Sequence, residues 1–407
     1  MSGPLSHLRI LDLSRVLAGP WAAQNFADLG AEVIKVERPG SGDDTRAWGP
    51  PYLKDRRGQD TSESAYFLSA NRGKKSVTID ISKAEGQKLV RQLASRCDIL
   101  LENYKVGALQ RYGLSYDDLK KENPKLIYCS ITGFGQDGPY RDRAGYDFMV
   151  QGMGGLMSVT GERDELPGGG PQKVGVAVAD LMTGMYATVA VLAALAHRER
   201  GGDGQHIDLA LLDVQVAMLA NQNLNYLTTG VPPQRMGNAH PNIVPYQSFK
   251  TSDGDLILAV GNDKQFAKFC EIANCGALAQ DARFSGNAGR VAHRDILVPQ
   301  IASMLKQRST AAWLAALEAG GVPCGPVHRL DQVFDDAQVR HRCMKIDLPH
   351  PLAGSVPQVA SPMRFSATPA RCVLPPPMLG EHTQEVLKGL LGIDQQEIDQ
   401  LRSLSVI

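Results

Sequence analysis

One carboxylate, Asp180, is the strongest candidate for chemistry in this sequence. It follows a run of small apolar residues, 175–179, and precedes a long apolar segment, 181–197, that contains no proline. The segment is rich in Leu, Met, Ala and Val and predicts a largely buried helix with Asp180 at or near its N-cap. Because Asp is a common N-cap, local sequence alone favours a structural role. A catalytic carboxylate is the alternative.

Other reactive groups show no spacing typical of a site. The 7 cysteines are scattered and odd in number, and they form no CxxC pair. The 9 histidines form no HxxxH or HxH pair. We therefore expect no metal site and no disulfide framework, but reduced thiols in a reducing compartment, which favours the cytoplasm.

The charge balance argues against polyanionic partners. Lys plus Arg and Asp plus Glu both number 43, so the formal net charge is +0. Nothing global would attract nucleic acid or an anionic membrane, and any bound anion must be held by local groups. Residues 1–7 precede the first predicted strand without an apolar signal core, and segment 181–197 fits a core helix. We expect no nucleic-acid partner and no membrane association.

Strands and helices alternate in the first part of the chain. Strands are predicted at 8–13, 31–36, 76–81, 98–101 and 125–132, with helices at 21–29 and 84–97. This pattern predicts an α/β fold with a parallel sheet, whose ligands bind at the carboxyl ends of the strands. Arg38, Asn103, Tyr104 and Lys105 fall at such ends.

The first βαβ unit raises the possibility of a nicotinamide enzyme. Glu37 closes the second strand, where a dinucleotide fold uses an acid to bind ribose. The turn before it, however, offers only Ala18-Gly19-Pro20 and no GxGxxG. Backbone N–H groups could not approach a pyrophosphate in the usual way, so nicotinamide binding is disfavoured.

A chain of 407 residues favours two domains. Residues 246–250 and 256–260 flank an Asp-Gly turn and predict a hairpin, and helical patterns follow from 264 and from 294. We place a large domain first at 1–228, a smaller α+β domain at 229–331, and a linker with a return to the large domain at 332–407.

Several ordered motifs resemble the family III CoA-transferases. They are residues 15–20 (RVLAGP), 35–43 (KVERPGSGD), 102–104 (ENY), 131–135 (ITGFG), 145–147 (GYD), the Asp180 segment and 379–383 (LGEHT). Their order and spacing cover the chain from about Leu5 to beyond Thr383. The resemblance implies a large Rossmann-like domain, discontinuous in sequence, and an interlocked homodimer. It implies no permanently bound cofactor, with a coenzyme A thioester as substrate.

The resemblance also implies a mechanism. An Asp at the position of Asp180 attacks the acyl-CoA thioester to give a mixed anhydride, and CoA thiolate then returns to form an aspartyl-CoA thioester. The family's CoA and reacting-end contacts carry over to a set of positions at strand ends and loops: Leu17, Ala18, Arg38, Ile79, Asp80, Asn103, Tyr104, Lys105, Arg111, Tyr146 and Asp147. Segment 236–242 corresponds to the family's active-site lid but lacks its glycine run.

Substrate choice follows from the nearest part of the family. The resemblance is closest to family members that transfer CoA from succinyl-CoA to glutarate or hydroxymethylglutarate. It implies a dicarboxylate as the CoA acceptor, with glutarate as the leading candidate. Itaconate, mesaconate, hydroxymethylglutarate and oxalate are alternatives. A distal carboxylate needs a cation, for which Arg46, Arg72 and His240 are candidates.

Three other functions remain as alternatives. Acyl-CoA racemases of the same superfold carry a His where this chain has Tyr146 before Asp147, and tyrosine, with a pKa near ~10, is a poor base at neutral pH. A nicotinamide oxidoreductase and a non-catalytic acyl-CoA sensor are the others. Adduct formation at Asp180 with succinyl-CoA would distinguish a transferase from the oxidoreductase and the sensor, and deuterium wash-in at the α-carbon of a branched acyl-CoA would indicate a racemase.

Overall fold

The computed structural model describes residues 3–370 and 374–407. Its strands, in chain order, are β1 (Arg9–Asp12), β2 (Glu32–Glu37), β3 (Tyr52–Lys54), β4 (Asp60–Ser64), β5 (Lys74–Thr78), β6 (Ile99–Glu102), β7 (Ile127–Thr132), β8 (His206–Ala210), β9 (Tyr246–Lys250), β10 (Asp255–Ala259), β11 (Cys324–Pro326), β12 (Lys345–His350) and β13 (Gly354–Val359).

The α-helices follow the same order. They are α1 (Ala18–Asp28), α2 (Ala65–Ala70), α3 (Ala84–Ala94), α4 (Tyr116–Leu119), α5 (Asp147–Met153), α6 (Leu156–Val159), α7 (Val178–Glu199), α8 (Leu211–Met218), α9 (Asn221–Thr229), α10 (Asp263–Ile272), α11 (Gly276–Gln280), α12 (Asn287–Ala292), α13 (Arg294–Leu305), α14 (Thr310–Ala319), α15 (Leu330–Asp335), α16 (Ala337–His341), α17 (Thr383–Leu391) and α18 (Gln395–Ser403).

A six-stranded sheet of order β5-β2-β1-β6-β7-β8 is the main feature, and all of its strand pairs are parallel. The predicted α/β class with a parallel sheet is therefore confirmed. The order reverses at β1, since β2 and β5 lie on one side of it and β6, β7 and β8 on the other. Ligands bind at the carboxyl ends of strands beside such a switch point.

Alternate strand residues face two different cores, which explains the nearly continuous apolar runs. Ile10 of β1 belongs to a cluster with residues of α1 and α7, whereas the next residue, Leu11, belongs to a second cluster with residues of α3, α17 and α18. Strand β6 repeats this alternation, with Leu100 in the second cluster. Both faces of the sheet are therefore covered by helices.

The chain divides into two compact units. Unit 1 comprises residues 3–155, 174–220, 337–370 and 374–407, and it contains the six-stranded sheet. Unit 2 comprises Leu156–Lys173 and Asn221–Asp336. The expected smaller domain at 229–331 lies wholly within unit 2, and the two unit 2 segments are joined to unit 1 at 155/156, 173/174, 220/221 and 336/337.

Unit 2 is built on a three-stranded antiparallel sheet of order β11-β10-β9. The predicted hairpin forms its β9–β10 pair, with Asp255 opposite Lys250. Helices α10, α13 and α14 supply Phe269, Ile301 and Trp313 to its core. Unit 2 thus has its own hydrophobic core.

Helix α7 is the long apolar helix predicted from the sequence. It begins at Val178, three residues earlier than expected. By length and composition it could cross a membrane, with 44% of its most apolar window buried. Ala187, Val191 and Leu195 pack into the core beside α1, which supports the interpretation as a core helix.

Candidate active site

Asp180 is the third residue of α7, and Ala177 is the N-cap. The carboxylate is therefore not used to cap its own helix, as the structural interpretation required. It is partly buried, and within the described residues no group donates a hydrogen bond to it. A carboxylate without protein partners beside a cavity is available to react.

Asp147 caps α7 instead. Its Oδ1 accepts the N–H groups of Ala179 at 2.8 Å and of Asp180 at 3.3 Å. Its Oδ2 accepts Nε2 of the buried Gln151 at 2.6 Å, and Gln151 Oε1 accepts the Val174 N–H at 2.9 Å. The sequence placed Asp147 beside the reacting end, and the structure shows that it fixes the backbone that carries Asp180.

The same arrangement makes ionisation of Asp180 costly. Burial, and secondarily the negative charge of Asp147, raises the pKa of Asp180 from 3.8 to about 7. Burial disfavours the charged form of a carboxyl, and a like charge nearby adds to this. A strongly shifted carboxyl in a cavity is a recognised sign of a functional site. Near neutral pH Asp180 is divided between its two protonation states.

Asp180 lines a cavity of about 220 Å³ in unit 1, the Asp180 cavity. It lies at the carboxyl edge of the sheet, between the loops that follow β1, β6 and β7. Six of the predicted contact residues line it: Leu17, Ala18, Asn103, Tyr104, Lys105 and Tyr146. The sheet thus brings residues far apart in sequence together around one carboxylate.

A second cavity of about 390 Å³, the Arg38 cavity, adjoins the first. Four of the predicted contact residues line this second cavity: Arg38, Ile79, Asp80 and Tyr104. Arg15, Asp44 and Tyr104 line both cavities. Because they share these residues, the two cavities form one groove across the carboxyl ends of the strands.

Asn103 holds two of the groove's loops together. Its Oδ1 accepts the Arg15 N–H at 2.9 Å, and its Nδ2 donates to the Arg15 carbonyl at 2.7 Å. The preceding residue, Glu102, accepts the Tyr104 N–H at 2.7 Å. Burial raises the pKa of Glu102 to about 7. Asn103 therefore positions the groove wall besides lining it.

The turn between β1 and α1 is strained. Val16 lines the Asp180 cavity with φ at +71°, a left-handed conformation that β-branched residues rarely adopt. Its N–H faces the buried Asp43 carboxylate at 3.2 Å. Burial alone would raise the pKa of Asp43, but Lys35 and hydrogen bonds from Thr45 lower it to about 2. The charged Asp43 thus holds a turn that the chain would not otherwise adopt, as is common at functional sites.

Arg46 is not a substrate ligand as the sequence suggested. Its Nη2 and Nε bond the two oxygens of the Glu37 carboxylate at 2.8 Å each, and Nη1 bonds Glu63 at 3.2 Å. The guanidinium is buried and lies over Phe67, 3.6 Å from the ring centroid. All of these partners belong to the protein, so the candidate role of Arg46 is corrected to a structural one.

Arg72 requires the same correction. It is buried, and its Nε and Nη2 bond both oxygens of Asp28 at 3.0 Å and 2.6 Å. Its main-chain N–H donates to Gln24. Arg72 joins α1 to the loop before β5 and does not line the groove.

The other two predicted contacts lie elsewhere. His240 belongs to unit 2, where its Nδ1 accepts the Asn242 N–H at 3.0 Å. Burial, with the nearby Arg294, lowers the pKa of His240, so it is a poor cation at neutral pH. Arg111 is exposed in a 3-10 turn, Gln110–Tyr112, and lines neither cavity.

Several lining residues were missed as candidates from the sequence, among them Arg15, Thr132, Arg141 and Arg143. Arg15 stood inside a recognised motif, and Thr132 ends β7. Arg141 and Arg143 follow the glycine-rich turn after β7, and residues beyond the carboxyl end of a parallel strand are candidates for ligand binding. Within the described residues, His, Cys, Asp and Glu side chains form no cluster of three that could hold a metal ion.

Comparison with known proteins gives the family. The sequence model of the CoA-transferase family III matches residues 5–383. A succinate–glutarate CoA-transferase of Agrobacterium fabrum is 52% identical over 96% of this chain and 97% of its own length. The human succinyl-CoA:glutarate CoA-transferase is 43% identical, with 99% of this chain and 90% of the human protein covered.

Solved structures agree with this result. The crystal structure of a CAIB/BAIF family protein from Brucella suis superposes with a TM-score of 0.84 at 49% identity, covering 96% of this chain and 100% of that one. Because both the family model and these relatives extend over nearly the whole chain, the protein belongs to the CoA-transferase family III and is a CoA-transferase.

Proposed function

We propose that this enzyme transfers CoA reversibly from succinyl-CoA to a dicarboxylate, most readily glutarate, through covalent intermediates on Asp180. The observation that carries the proposal is the Asp180 carboxylate, which lines a cavity and has no hydrogen-bond donor among the described residues. The names of the Agrobacterium and human relatives support the two substrates. Itaconate, mesaconate, hydroxymethylglutarate and oxalate remain acceptors to test.

The donor half of the reaction forms and breaks two bonds at acyl carbons. An Asp180 oxygen attacks the thioester carbonyl of succinyl-CoA, the C–S bond breaks, and CoA leaves as the thiolate. The thiolate then attacks the side-chain carbonyl carbon of Asp180 in the resulting anhydride. Succinate leaves, and CoA remains bound to Asp180 as a thioester.

The acceptor half reverses these steps with glutarate. One glutarate carboxylate attacks the aspartyl thioester, releases CoA thiolate and forms a glutaryl anhydride on Asp180. The thiolate attacks the glutaryl carbonyl, giving glutaryl-CoA and free Asp180. No proton is gained or lost overall, so the enzyme's task is positioning and stabilisation of the oxyanions.

Two groups beside Asp180 suit that task. Tyr146 lines the cavity and carries a hydroxyl donor. Helix α1 begins at Ala18, also at the cavity, and its N-cap Leu17 supplies no side-chain cap. A helix N-terminus presents N–H groups and a partial positive charge, which stabilise a developing anion.

The two adjoining cavities offer a path for CoA along the groove. We place the adenosine end in the Arg38 cavity, where the guanidinium of Arg38 is exposed and suits a phosphate. The pantetheine arm would pass Tyr104, which lines both cavities, to bring sulfur to Asp180. CoA is thus a substrate, and no permanently bound cofactor is needed.

We also propose a homodimer in the cytoplasm. Apolar side chains on α5 and α7 remain exposed, among them Phe148 at 59% and Val189 at 61%, and a second copy would cover them. The six cysteines within the described residues are free thiols, which fits a reducing compartment. Sedimentation equilibrium should give twice the mass of one chain, and a single-chain mass would contradict the dimer.

Covalent trapping tests the function. Wild-type enzyme incubated with succinyl-CoA should gain the mass of CoA, less water, at Asp180, and hydroxylamine should convert that thioester to a hydroxamate. Asp180→Asn should show neither product and no exchange between succinyl-CoA and labelled succinate. Exchange at the wild-type rate by Asp180→Asn, or an adduct on another residue, would refute the proposal.

A further inference from the structure

Arg143 is carried on a loop that closes on itself beside Asp180. The loop spans residues 133–145, and its two end glycines touch: a Cβ built on Gly145 would lie 2.2 Å from the Gly133 Cα. Such a contact leaves no room for a side chain at position 133 or 145, so the two ends of the loop lie directly against each other. Arg143 lines the Asp180 cavity from this loop.

Two aromatic rings of the same loop hold the guanidinium. The Arg143 Cζ lies 4.5 Å from the Tyr140 ring centroid and 5.4 Å from that of Phe134. The two rings meet edge to face, with centroids 5.5 Å apart. Cation–π stacking uses the face of a guanidinium and leaves the in-plane N–H donors for a carboxylate. The Arg143 side chain is exposed, and within the described residues its guanidinium makes no hydrogen bond, so its N–H donors stay available beside the two rings.

Arg143 has no carboxylate partner within the described residues, unlike the other arginines of the cavity. Arg15 pairs with Asp44 at 3.0 Å, and Arg141 approaches Asp142 at 3.7 Å. Lys105 also lacks an ion pair there, but it is a flexible point charge with no planar fork. Of the cavity's cations, Arg143 is the one that combines a held guanidinium with an unused charge.

We propose that Arg143 binds the distal carboxylate of the succinyl and glutaryl groups and so makes the enzyme selective for dicarboxylates. This inference rests on the proposed function. In each half-reaction one carboxyl group reacts at Asp180 while the other stays ionised. A second carboxylate beside the Asp180 and Asp147 charges would be repelled unless a cation faced it. A loop arginine can serve both acyl groups, which differ by one methylene.

The test separates distal-carboxylate binding from CoA binding. Four substrates form two pairs matched in carbon chain length: succinyl-CoA with butyryl-CoA as donors, and glutarate with valerate as acceptors. In each pair a methyl group replaces the distal carboxylate. Because each kcat/KM of a two-step transfer reports one half-reaction, the four values are independent, and slow monocarboxylate reactions are followed as Asp180 adducts by mass spectrometry.

Arg143→Gln should lower kcat/KM for succinyl-CoA and for glutarate by about 10- to 100-fold, as expected for loss of a charge-assisted pair. The values for butyryl-CoA and valerate should stay within about 2-fold. Arg143→Lys should recover part of the loss, since it restores the charge without the fork. Arg200→Gln, an exposed arginine at the end of α7, is the control and should leave all four values unchanged.

Two results would overturn the proposal. Equal losses with all four substrates would assign Arg143 to CoA, the pattern we expect for Lys105→Gln. Unchanged values for glutarate and succinyl-CoA would show that it binds no substrate. Failure of the proposed function is distinguishable from both, because wild-type enzyme would then form no adduct with succinyl-CoA.

Discussion

Replacing Asp180 with Asn should stabilise the folded protein at pH 8 and have a smaller effect at pH 5. Wild-type Asp180 has a pKa of about 7 when folded and an ordinary value of 3.8 when unfolded. A carboxyl whose folded-state pKa is raised binds its proton more tightly in the folded state. Stability is therefore lost as the pH rises from the lower value to the higher one.

The size of the effect follows from the same two values. Their difference corresponds to about 4 kcal/mol against ionisation in the folded state, fully expressed above pH 7. At pH 5 the wild-type protein has lost only about 1.7 kcal/mol by this linkage. Asn is nearly isosteric and carries no charge, and the carboxylate has no described donor to lose. The advantage of Asp180→Asn should thus grow by about 2–3 kcal/mol between pH 5 and pH 8.

Urea unfolding at both pH values, at one protein concentration, measures this growth. Asp213→Asn is the matched control, since Asp213 is also the third residue of its helix, α8, but is exposed. It should show no comparable gain. Two results would contradict this reasoning: Asp180→Asn no more stable than the wild type at pH 8, or an equal gain in stability at both pH values. Either would show that folding does not raise the pKa of Asp180.

The remaining predictions concern the supports of Asp180. Asp147→Asn keeps an acceptor for the Ala179 and Asp180 N–H groups but removes the negative charge that is the second cause of the raised pKa of Asp180. The pH midpoint of single-turnover acylation should therefore fall by about 1 from near 7. An unchanged midpoint would show that burial alone raises this pKa. Gly184→Ala should destabilise the folded protein by about 1–3 kcal/mol and slow turnover, because its Cβ would lie 2.6 Å from the Ala18 carbonyl oxygen. This steric clash outweighs the gain of about 1 kcal/mol in helix propensity from Gly to Ala. Gly389→Ala in α17, where nothing lies within 4 Å, should instead stabilise, and equal melting shifts for the two variants would refute the packing argument.

The order of elements was predictable because local patterns determined it. Strands β1, β2, β6 and β7 are apolar on both faces and bounded by turns or polar residues, and each falls within two residues of its expected position. The start of α7 was harder to predict. Its cap, Asp147, is 30 residues before Ala177 in the chain, so the first turn at Val178 carries no local signal.

The site was predictable where a residue's position along a strand decides its location. Asn103, Tyr104 and Lys105 follow β6 and line the groove, as expected of residues at the carboxyl end of a strand. Arg46 and Arg72 were mistaken for ligands because the sequence shows a cation but not its partner. The partner of Arg72, Asp28, is 44 residues away in sequence. Arg143 was missed for the converse reason, since its lack of a partner is visible only in the fold.

Ion pairing therefore separates structural from functional charges in this protein. A buried cation is tolerated only when carboxylates surround it, and Lys35, Lys74, Arg46 and Arg72 each have such a partner within 3.0 Å. The two charges of each pair neutralise one another within the protein, so these cations do not attract a substrate. A substrate carboxylate can be attracted only by a cation that the protein leaves unpaired. At the Asp180 cavity Arg143 and Lys105 both meet that condition within the described residues, and Arg143 is the one with a planar guanidinium that can bind both oxygens of a carboxylate. Asp180 is the carboxylate left without a donor, so the cavity offers a reactive group for one end of a dicarboxylate and a cation for the other.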